Sequence, residues 1–168
     1  MSIWILSFLG GLVGTLAMDI GARHLGGAGV NDALGGLLGR WVLGFRHGKF
    51  NINGLKELNT PETLVEARTG VFFHYIVGGG CVALVYPGWF WLTGFSLPEN
   101  HIPAGLLFGL ISVSLTWFVQ YPCFGFSWFG LKGPAGSTTI WPPLVLHSVY
   151  GLIMGAVIEG GNALTGII

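Results

Sequence analysis

The chain has 168 residues, of which 8% are charged, 52% are hydrophobic and 14% are aromatic. Soluble domains carry roughly 25% charged residues, so this chain has too few ionic groups to cover a water-facing surface, and a soluble globular domain is excluded. The seven Lys and Arg residues balance the seven Asp and Glu residues, without the basic excess that nucleic-acid binding requires, which leaves a polytopic helical membrane protein.

Four stretches are long and apolar enough to cross a bilayer, which takes about 20 mostly apolar residues. They cover about residues 2–22, 70–95, 103–123 and 140–160. Because no lipid-facing backbone group can stay unpaired in hydrocarbon, each is predicted to be a helix. The predicted fold class is therefore all-α, with residues 1–168 forming a single membrane domain built as a four-helix transmembrane bundle.

The long first connection, about residues 24–68, carries a helical pattern of its own. Asn31 or Asp32 is predicted to cap a short helix. The apolar residues that follow stand at helical spacing: Leu34, Leu37, Leu38, Trp41 and Phe45. This helix is too short to span and is predicted to be interfacial or re-entrant. After it, Pro61 is predicted in a first helical turn that leads into the second span.

Small residues recur four positions apart in the spans, at Gly10/Gly14, Gly105/Gly109 and Gly151/Gly155. The second span instead contains the run Gly78–Gly80. Such spacing lets helix backbones approach closely in a membrane. The pattern therefore predicts a tight bundle rather than four separated helices.

The positive charges are distributed unevenly along the chain. All seven lie in the first and third connections or at their edges: Arg23, Arg40, Arg46, Lys49, Lys56, Arg68 and Lys132. With four spans, these two connections share one side of the bilayer. The positive-inside rule places that side in the cytoplasm and predicts that both termini are periplasmic.

Polar residues inside the spans are predicted to gather at one level. Asp19 and Gln120 close the two inward-running spans, and His74 and His147 open the two outward-running ones. At about 1.5 Å per residue, all four fall in the cytoplasmic third of the bilayer, where ionisable groups are functional candidates. The predicted pocket combines them with basic residues of the first connection, which would neutralise an anionic ligand: Asp19, Arg23, Arg40, His47, His74, Gln120 and His147.

Several chemistries suit these side chains. His74, His147 and Asp19 have the donor types of a transition-metal site, and the same groups suit a proton relay or, for the two histidines, haem ligation. Structural alternatives are an Asp19–Arg23 pair at i,i+4 and hydrogen bonds between helices. His24 and His101, which are not part of the predicted pocket, are predicted to be solvated or interfacial. The simplest interpretation of His47 is the same. Glu159 is predicted to lie alone at the opposite face.

The leading functional hypothesis is a binding or transport-type protein whose pocket takes an ion, a proton or a small anionic ligand. The alternative is an accessory structural subunit packed against a larger membrane complex. A metal-dependent membrane enzyme is a further alternative, although no known catalytic signature occurs and an enzyme is not expected. The predicted partners are the lipid bilayer and either a larger complex or further copies of the chain. The cofactor is unknown. The donor types of His74, His147 and Asp19 would allow a transition metal.

Motifs along nearly the whole chain resemble the bacterial integral membrane family known as domain of unknown function 2938. They are the segments Gly14–Asp19, Gly39–Trp41, His47–Phe50, Glu66–Tyr75, Gln120–Gly125 and His147–Gly151. The resemblance implies a four-span protein of the bacterial inner membrane. It implies no activity, substrate or catalytic residue.

Overall fold

The structure is a computed structural model that describes residues 1–24 and 35–165. Within these ranges the chain contains helices and no strand, which confirms the all-α prediction. The helices are α1 (Ile3–His24), α2 (Gly36–Gly44), α3 (Gly54–Glu57), α4 (Leu64–Phe72), α5 (Val85–Thr93), α6 (His101–Leu115), α7 (Tyr121–Cys123) and α8 (Trp141–Thr165). The predicted cap at Asn31 or Asp32, and Leu34, lie outside the described residues.

Four stretches of the described chain are long and apolar enough to cross a membrane: Ile3–His24, Leu64–Thr93, His101–Cys123 and Gly136–Leu164. They coincide with the four predicted spans and indicate a multi-pass membrane protein. Two of them contain rare π-helical turns, at Phe73–Cys81 in the second span and at Thr116–Gln120 in the third. The first of these π segments contains Gly78–Gly80, and glycine has a low preference for the α-helix.

The helix that leads into the second span begins at Leu64, later than the lead-in predicted at Pro61. Pro61 lies outside the helix, and α4 starts after Thr63, whose side chain accepts a hydrogen bond from the Glu66 backbone N–H at 3.2 Å. Glu66 Oε2 in turn accepts from the Thr63 backbone N–H at 2.8 Å. This reciprocal capping box satisfies two backbone donors that the helix leaves unpaired. It therefore sets the helix start at Thr63 and not at the proline turn.

The chain divides into two compact units, of which the first comprises Met1–Gly21, Tyr75–Ile111 and Leu146–Ile168. Its helices pack through glycine. A Cβ on Gly105 would overlap the Gly151 carbonyl, and a Cβ on Gly155 would overlap the His101 carbonyl. Gly10 and Gly14 of α1 also lie against the backbone of α8, where a Cβ would be 3.0 Å from the Met154 carbonyl oxygen and 2.7 Å from that of Tyr150. These contacts confirm the tight helix packing that the small-residue pairs predicted. Buried apolar side chains complete this core: Leu6, Ala83, Tyr86, Met154 and Ile158.

The second unit comprises Ala22–His74 and Ser112–Val145. Here α2 lies against α4 so closely that a Cβ on Gly39 would overlap the Glu66 carbonyl. Trp41 of α2 makes edge-to-face contacts with Phe45, Phe73 and Phe124, at ring-centroid distances of 4.8, 5.9 and 5.6 Å. The short helix of the first connection is therefore confirmed. Its interfacial or re-entrant position stays a prediction.

Candidate functional site

A stripe of small and polar residues follows one face of α1. Ser7, Gly11, Thr15 and Asp19, here called the α1 stripe, stand four residues apart and therefore share a helix face. Ser7 and Thr15 are fully buried. The Thr15 hydroxyl donates to the Gly11 carbonyl at 2.8 Å, whereas the Ser7 hydroxyl is buried without a partner among the described residues.

The α1 stripe faces the second span inside the first unit. The Tyr75 hydroxyl donates to Asp19 Oδ2 at 2.8 Å, and a Cβ on Gly79, one turn further along, would overlap the Thr15 hydroxyl. The Gly79 carbonyl accepts a hydrogen bond of 2.8 Å from Tyr150 of α8, whose side chain is buried. Asp19 is thus a partly buried carboxylate with a phenol partner, followed along the helix by buried hydroxyl groups.

A second polar group in the first unit surrounds His101, the first residue of α6. The Tyr86 hydroxyl lies 2.8 Å from His101 Nδ1, and the Asn162 amide nitrogen lies 3.2 Å from Nε2. Glu159 Oε2 accepts the His101 backbone N–H at 2.8 Å. We call these four residues the His101 cluster. In the neutral ring, an Asn162 N–H that donates to Nε2 leaves Nδ1–H to donate to the Tyr86 oxygen.

The His101 cluster corrects two sequence predictions. His101 is only 4% exposed, so it is not solvated, and Glu159 bonds to the start of α6 instead of lying alone. A carboxylate at a helix N-terminus is favourable because it meets unpaired N–H groups and the positive end of the helix dipole. The signal was present in the sequence. Pairing Gly105 with Gly151 in an antiparallel register brings His101 opposite Gly155, one turn before Glu159.

In the second unit, Arg40 of α2 joins two carboxylates and two backbone carbonyls. Nε donates to Glu66 Oε1 at 2.8 Å and Nη2 to Glu66 Oε2 at 3.2 Å. Nη1 donates to the side chain and to the carbonyl of Glu57, both at 2.9 Å, and Nη2 donates to the Pro61 carbonyl at 3.2 Å. These bonds occupy all five N–H donors of a guanidinium. The hydrogen bonds to Glu66 outweigh burial and raise the pKa of Arg40.

The other predicted pocket residues occupy varied positions. Arg23 is exposed in the last turn of α1, and His47 is exposed and accepts a hydrogen bond from Arg46 Nε at 3.1 Å. His74 and Gln120 lie in the two π-helical segments and are half-buried. His147, also half-buried, has its ring centroid 6.3 Å from that of Tyr150. Asp19 and His147 belong to the first unit and the rest to the second, and their convergence on one pocket stays a prediction.

Metal ligation gains no support from this geometry. In residues 1–24 and 35–165, no group of three or more His, Cys, Asp or Glu side chains is arranged to hold a metal ion. The ligand set of His74, His147 and Asp19 stays a prediction from residue type. The arrangement that the described residues do provide, hydrogen-bonded ionisable groups in apolar surroundings, is suited to holding a proton or a small cation.

A family model described as "Protein of unknown function (DUF2938)" matches residues 8–158 of the 168. No curated protein and no solved structure matches the chain. The matched range contains every residue of the predicted pocket and the α1 stripe except Ser7. Of the His101 cluster it contains Tyr86 and His101, whereas Glu159 and Asn162 lie just beyond it.

Proposed function

The chain belongs to the family of proteins of unknown function DUF2938, and from this premise we propose that it is a binding or transport-type membrane protein that takes up protons or small cations. Asp19 is the proposed uptake group. Its carboxylate lies within a candidate span and accepts a hydrogen bond from the Tyr75 hydroxyl. An ionisable group in such a position is expensive in an apolar environment and is a functional candidate by default.

The observation that carries the proposal is the line of polar side chains through the first unit. It begins at Asp19 and Tyr75 and continues with the buried hydroxyls of Thr15 and Tyr150. Asp19 lies twelve positions after Ser7 in α1, which corresponds to about 18 Å along the helix axis. Next to Ser7, the Leu6 side chain packs so closely on α8 that a Cβ on Gly161 would overlap it. The next residue of α8, Asn162, belongs to the His101 cluster.

Each end of this line has a group that can exchange a proton. Protonation of the Asp19 carboxylate removes its charge while the Tyr75 hydroxyl remains a hydrogen-bond donor. At the other end, the imidazole of His101 is the type of side chain that exchanges protons in the range of physiological pH. Replacing buried ionic groups with well-packed apolar residues is often neutral or stabilising, so helix packing alone does not require these side chains.

The predicted pocket and orientation form the finer part of the proposal. His74, Gln120 and His147 would join Asp19 on the cytoplasmic side, with Arg23 and His47 at the entrance. Since the donors of Arg40 are already occupied, its proposed role is to hold α2 on α4. The uneven distribution of Lys and Arg supports an inner-membrane location with both termini in the periplasm.

The proposed principal partner is the lipid bilayer. Large apolar side chains are exposed along the candidate spans, among them Leu16 and Ile20 of α1 and Trp91 and Leu92 of α5. A soluble protein rarely exposes so much contiguous apolar surface, whereas acyl chains would cover it. Parts of the same surface are available to a larger membrane complex or to further copies of the chain.

Proton flux into vesicles tests the proposal. The purified protein is reconstituted into liposomes that enclose a pH-sensitive dye, and a potassium diffusion potential drives proton entry. The wild-type protein is expected to acidify the lumen well above the rate of protein-free vesicles. Asp19→Asn, which keeps the shape of the side chain and removes its proton site, is expected to lower the flux at least tenfold. Tyr75→Phe, which removes one hydrogen bond worth about 1 kcal/mol, is expected to lower it several-fold.

Glu99→Gln serves as the matched control because Glu99 is an exposed carboxylate in the second connection. This variant should conduct like the wild-type protein. A flux equal to that of protein-free vesicles would overturn the proposal and favour the accessory-subunit alternative. Full activity of a folded Asp19→Asn variant would equally contradict Asp19 as the uptake group.

A further inference from the structure

Two polar donors of the third span are buried without partners in the second unit. The Trp117 indole N–H and the Tyr121 hydroxyl are inaccessible to solvent and make no hydrogen bond to any described residue. Tyr121 is only 3% exposed. A buried donor left unpaired is unfavourable, so two of them on one helical stretch are unusual in a folded protein.

The two donors belong to one face of the third span. They stand four residues apart, a spacing that brings side chains together on a helix. The stretch between them is the π-helical segment Thr116–Gln120. Short π-helical turns are rare and are frequently found at functional sites.

The surroundings of these donors are apolar and aromatic. The Trp117 ring lies 5.2 Å from the Phe129 ring, and the Tyr121 ring lies 6.2 Å from Phe126. Tyr121 is part of the buried cluster formed with Leu37, Leu38, Trp41, Phe124 and Phe126. Such walls accept a flat, uncharged molecule through ring contacts.

The loop that covers this face is strained. Ser127 and Phe129 are the non-glycine residues with positive φ in the described chain, at 65° and 58°. A side chain beyond Cα makes each such conformation unfavourable. Phe129 is also the residue that contacts Trp117, and its ring lies 5.1 Å from Phe118. Strain of this kind concentrates at ligand sites, because the surrounding structure must hold the residues that form the contact.

We propose that this face, defined by Trp117, Tyr121 and Phe129, binds an uncharged membrane molecule through a carbonyl oxygen. An indole N–H is a donor only, and a phenol readily donates, so the ligand must supply an acceptor. None of the three residues that define the face is cationic, which disfavours an anion. A quinone ring combines carbonyl oxygens with a flat apolar body, and the ester carbonyl of a lipid offers the same acceptor. This site is independent of the proton-uptake proposal, since no residue is shared.

Titration with two probes tests the site and distinguishes the two sources of the carbonyl. The full chain is purified in a maltoside detergent, which has no carbonyl group. Decyl-ubiquinone and, separately, dihexanoyl-phosphatidylcholine below its micellar concentration are titrated in, and tryptophan fluorescence and calorimetry report binding. Saturable quinone binding that the lipid does not displace assigns the quinone. Saturable lipid binding without quinone binding assigns the lipid ester. Binding of neither probe overturns the proposal.

Trp117→Phe and Tyr121→Phe keep an aromatic ring and remove one donor each. Since one hydrogen bond is worth about 1 kcal/mol net and 1.4 kcal/mol is tenfold in affinity, each variant should raise the Kd about five- to tenfold. Trp128→Phe is the matched control because Trp128 is exposed in the same loop, and its affinity should not change. Wild-type affinity in both donor variants would overturn the site.

Stability without ligand supplies a second readout. Removing an unpaired buried hydroxyl eliminates a desolvation cost, so ligand-free Tyr121→Phe should unfold at the same or a higher temperature than the wild-type protein. A donor with a structural partner would behave in the opposite way, because its loss leaves that partner unpaired. A clear decrease in the Tm of Tyr121→Phe would therefore contradict the premise that this hydroxyl is reserved for a ligand.

Discussion

At the scale of single residues, Arg40 shows how one side chain organises a connection that has little regular structure. It bonds to Glu57 at the end of α3, to Pro61 and to Glu66 in the first turn of α4. The three charged side chains are between 16% and 25% exposed. Because a planar guanidinium presents its donors in a fixed geometry, it can hold two carboxylates at once, which the ammonium of lysine does less well.

Arg40→Ala is expected to lower the free energy of unfolding by about 2 kcal/mol, a value between those of exposed and fully buried ion pairs. The loss arises because Glu57 and Glu66 then lack their cation in a partly buried site. Unfolding in detergent by a denaturant titration measures the effect. Arg46→Ala is the control, since Arg46 is exposed beside the exposed His47, and it should change stability by less than about 0.5 kcal/mol. Equal losses in the two variants would contradict the role assigned to Arg40.

At the scale of secondary-structure elements, glycine determines which helices meet in the first unit. Gly105 and Gly109 of α6 face Gly151 and Gly155 of α8, and a Cβ on each would overlap opposing backbone. Such approach increases van der Waals contact between helices, the main attraction available to them in lipid. It also holds the start of α6 beside Glu159, so the packing of these two helices creates the His101 cluster.

Gly151→Ala is expected to force α6 and α8 apart, because its Cβ would overlap the Gly105 carbonyl and lie 2.8 Å from the Gly109 Cα. Overpacking of this kind costs about 2 kcal/mol. Gly160→Ala in the same helix meets nothing within 4 Å and should stabilise the helix by about 0.5 kcal/mol through propensity alone. Denaturant unfolding of both variants in detergent gives the comparison. A Gly151→Ala protein as stable as Gly160→Ala would refute the close packing.

At the scale of the whole molecule, the charge distribution predicts how the chain lies in its membrane. The first and third connections or their edges hold all seven Lys and Arg residues, whereas the second connection holds none and has Glu99 as its acidic residue. A membrane potential that is negative inside and the positive-inside rule both favour the cytoplasm for the basic side.

Cysteine accessibility tests this orientation. In a background with Cys81→Ala and Cys123→Ala, Glu99→Cys and Lys132→Cys are each labelled in whole cells with a maleimide that cannot cross the inner membrane. Glu99→Cys is expected to react, because its connection should face the periplasm, and Lys132→Cys only after the cells are lysed. The reverse labelling pattern would invert the topology and, with it, the side assigned to the predicted pocket.

Membership of the membrane class, the four spans and the helix contacts were predictable from sequence for physical reasons. Long apolar runs have no alternative to a helix in lipid, and glycine pairs such as Gly105/Gly109 allow approach wherever they fall on facing helices. The helical lead-in to the second span was predicted at Pro61 because a proline at N1 is a local signal. The reciprocal Thr63–Glu66 bonds outweigh that signal.

By itself, the sequence determined the all-helical membrane fold. The free energy of transferring a segment into lipid depends on the side chains of that segment and on the hydrogen bonding of its backbone, and a helix satisfies that backbone within the segment. Only the tertiary structure decided which polar groups meet. It paired Asp19 with Tyr75, buried His101 with Tyr86, Glu159 and Asn162, and gave Arg40 two carboxylates. Those partners lie 15 to 61 positions apart in the chain, and a hydrogen bond depends on their separation in space, which no local pattern encodes.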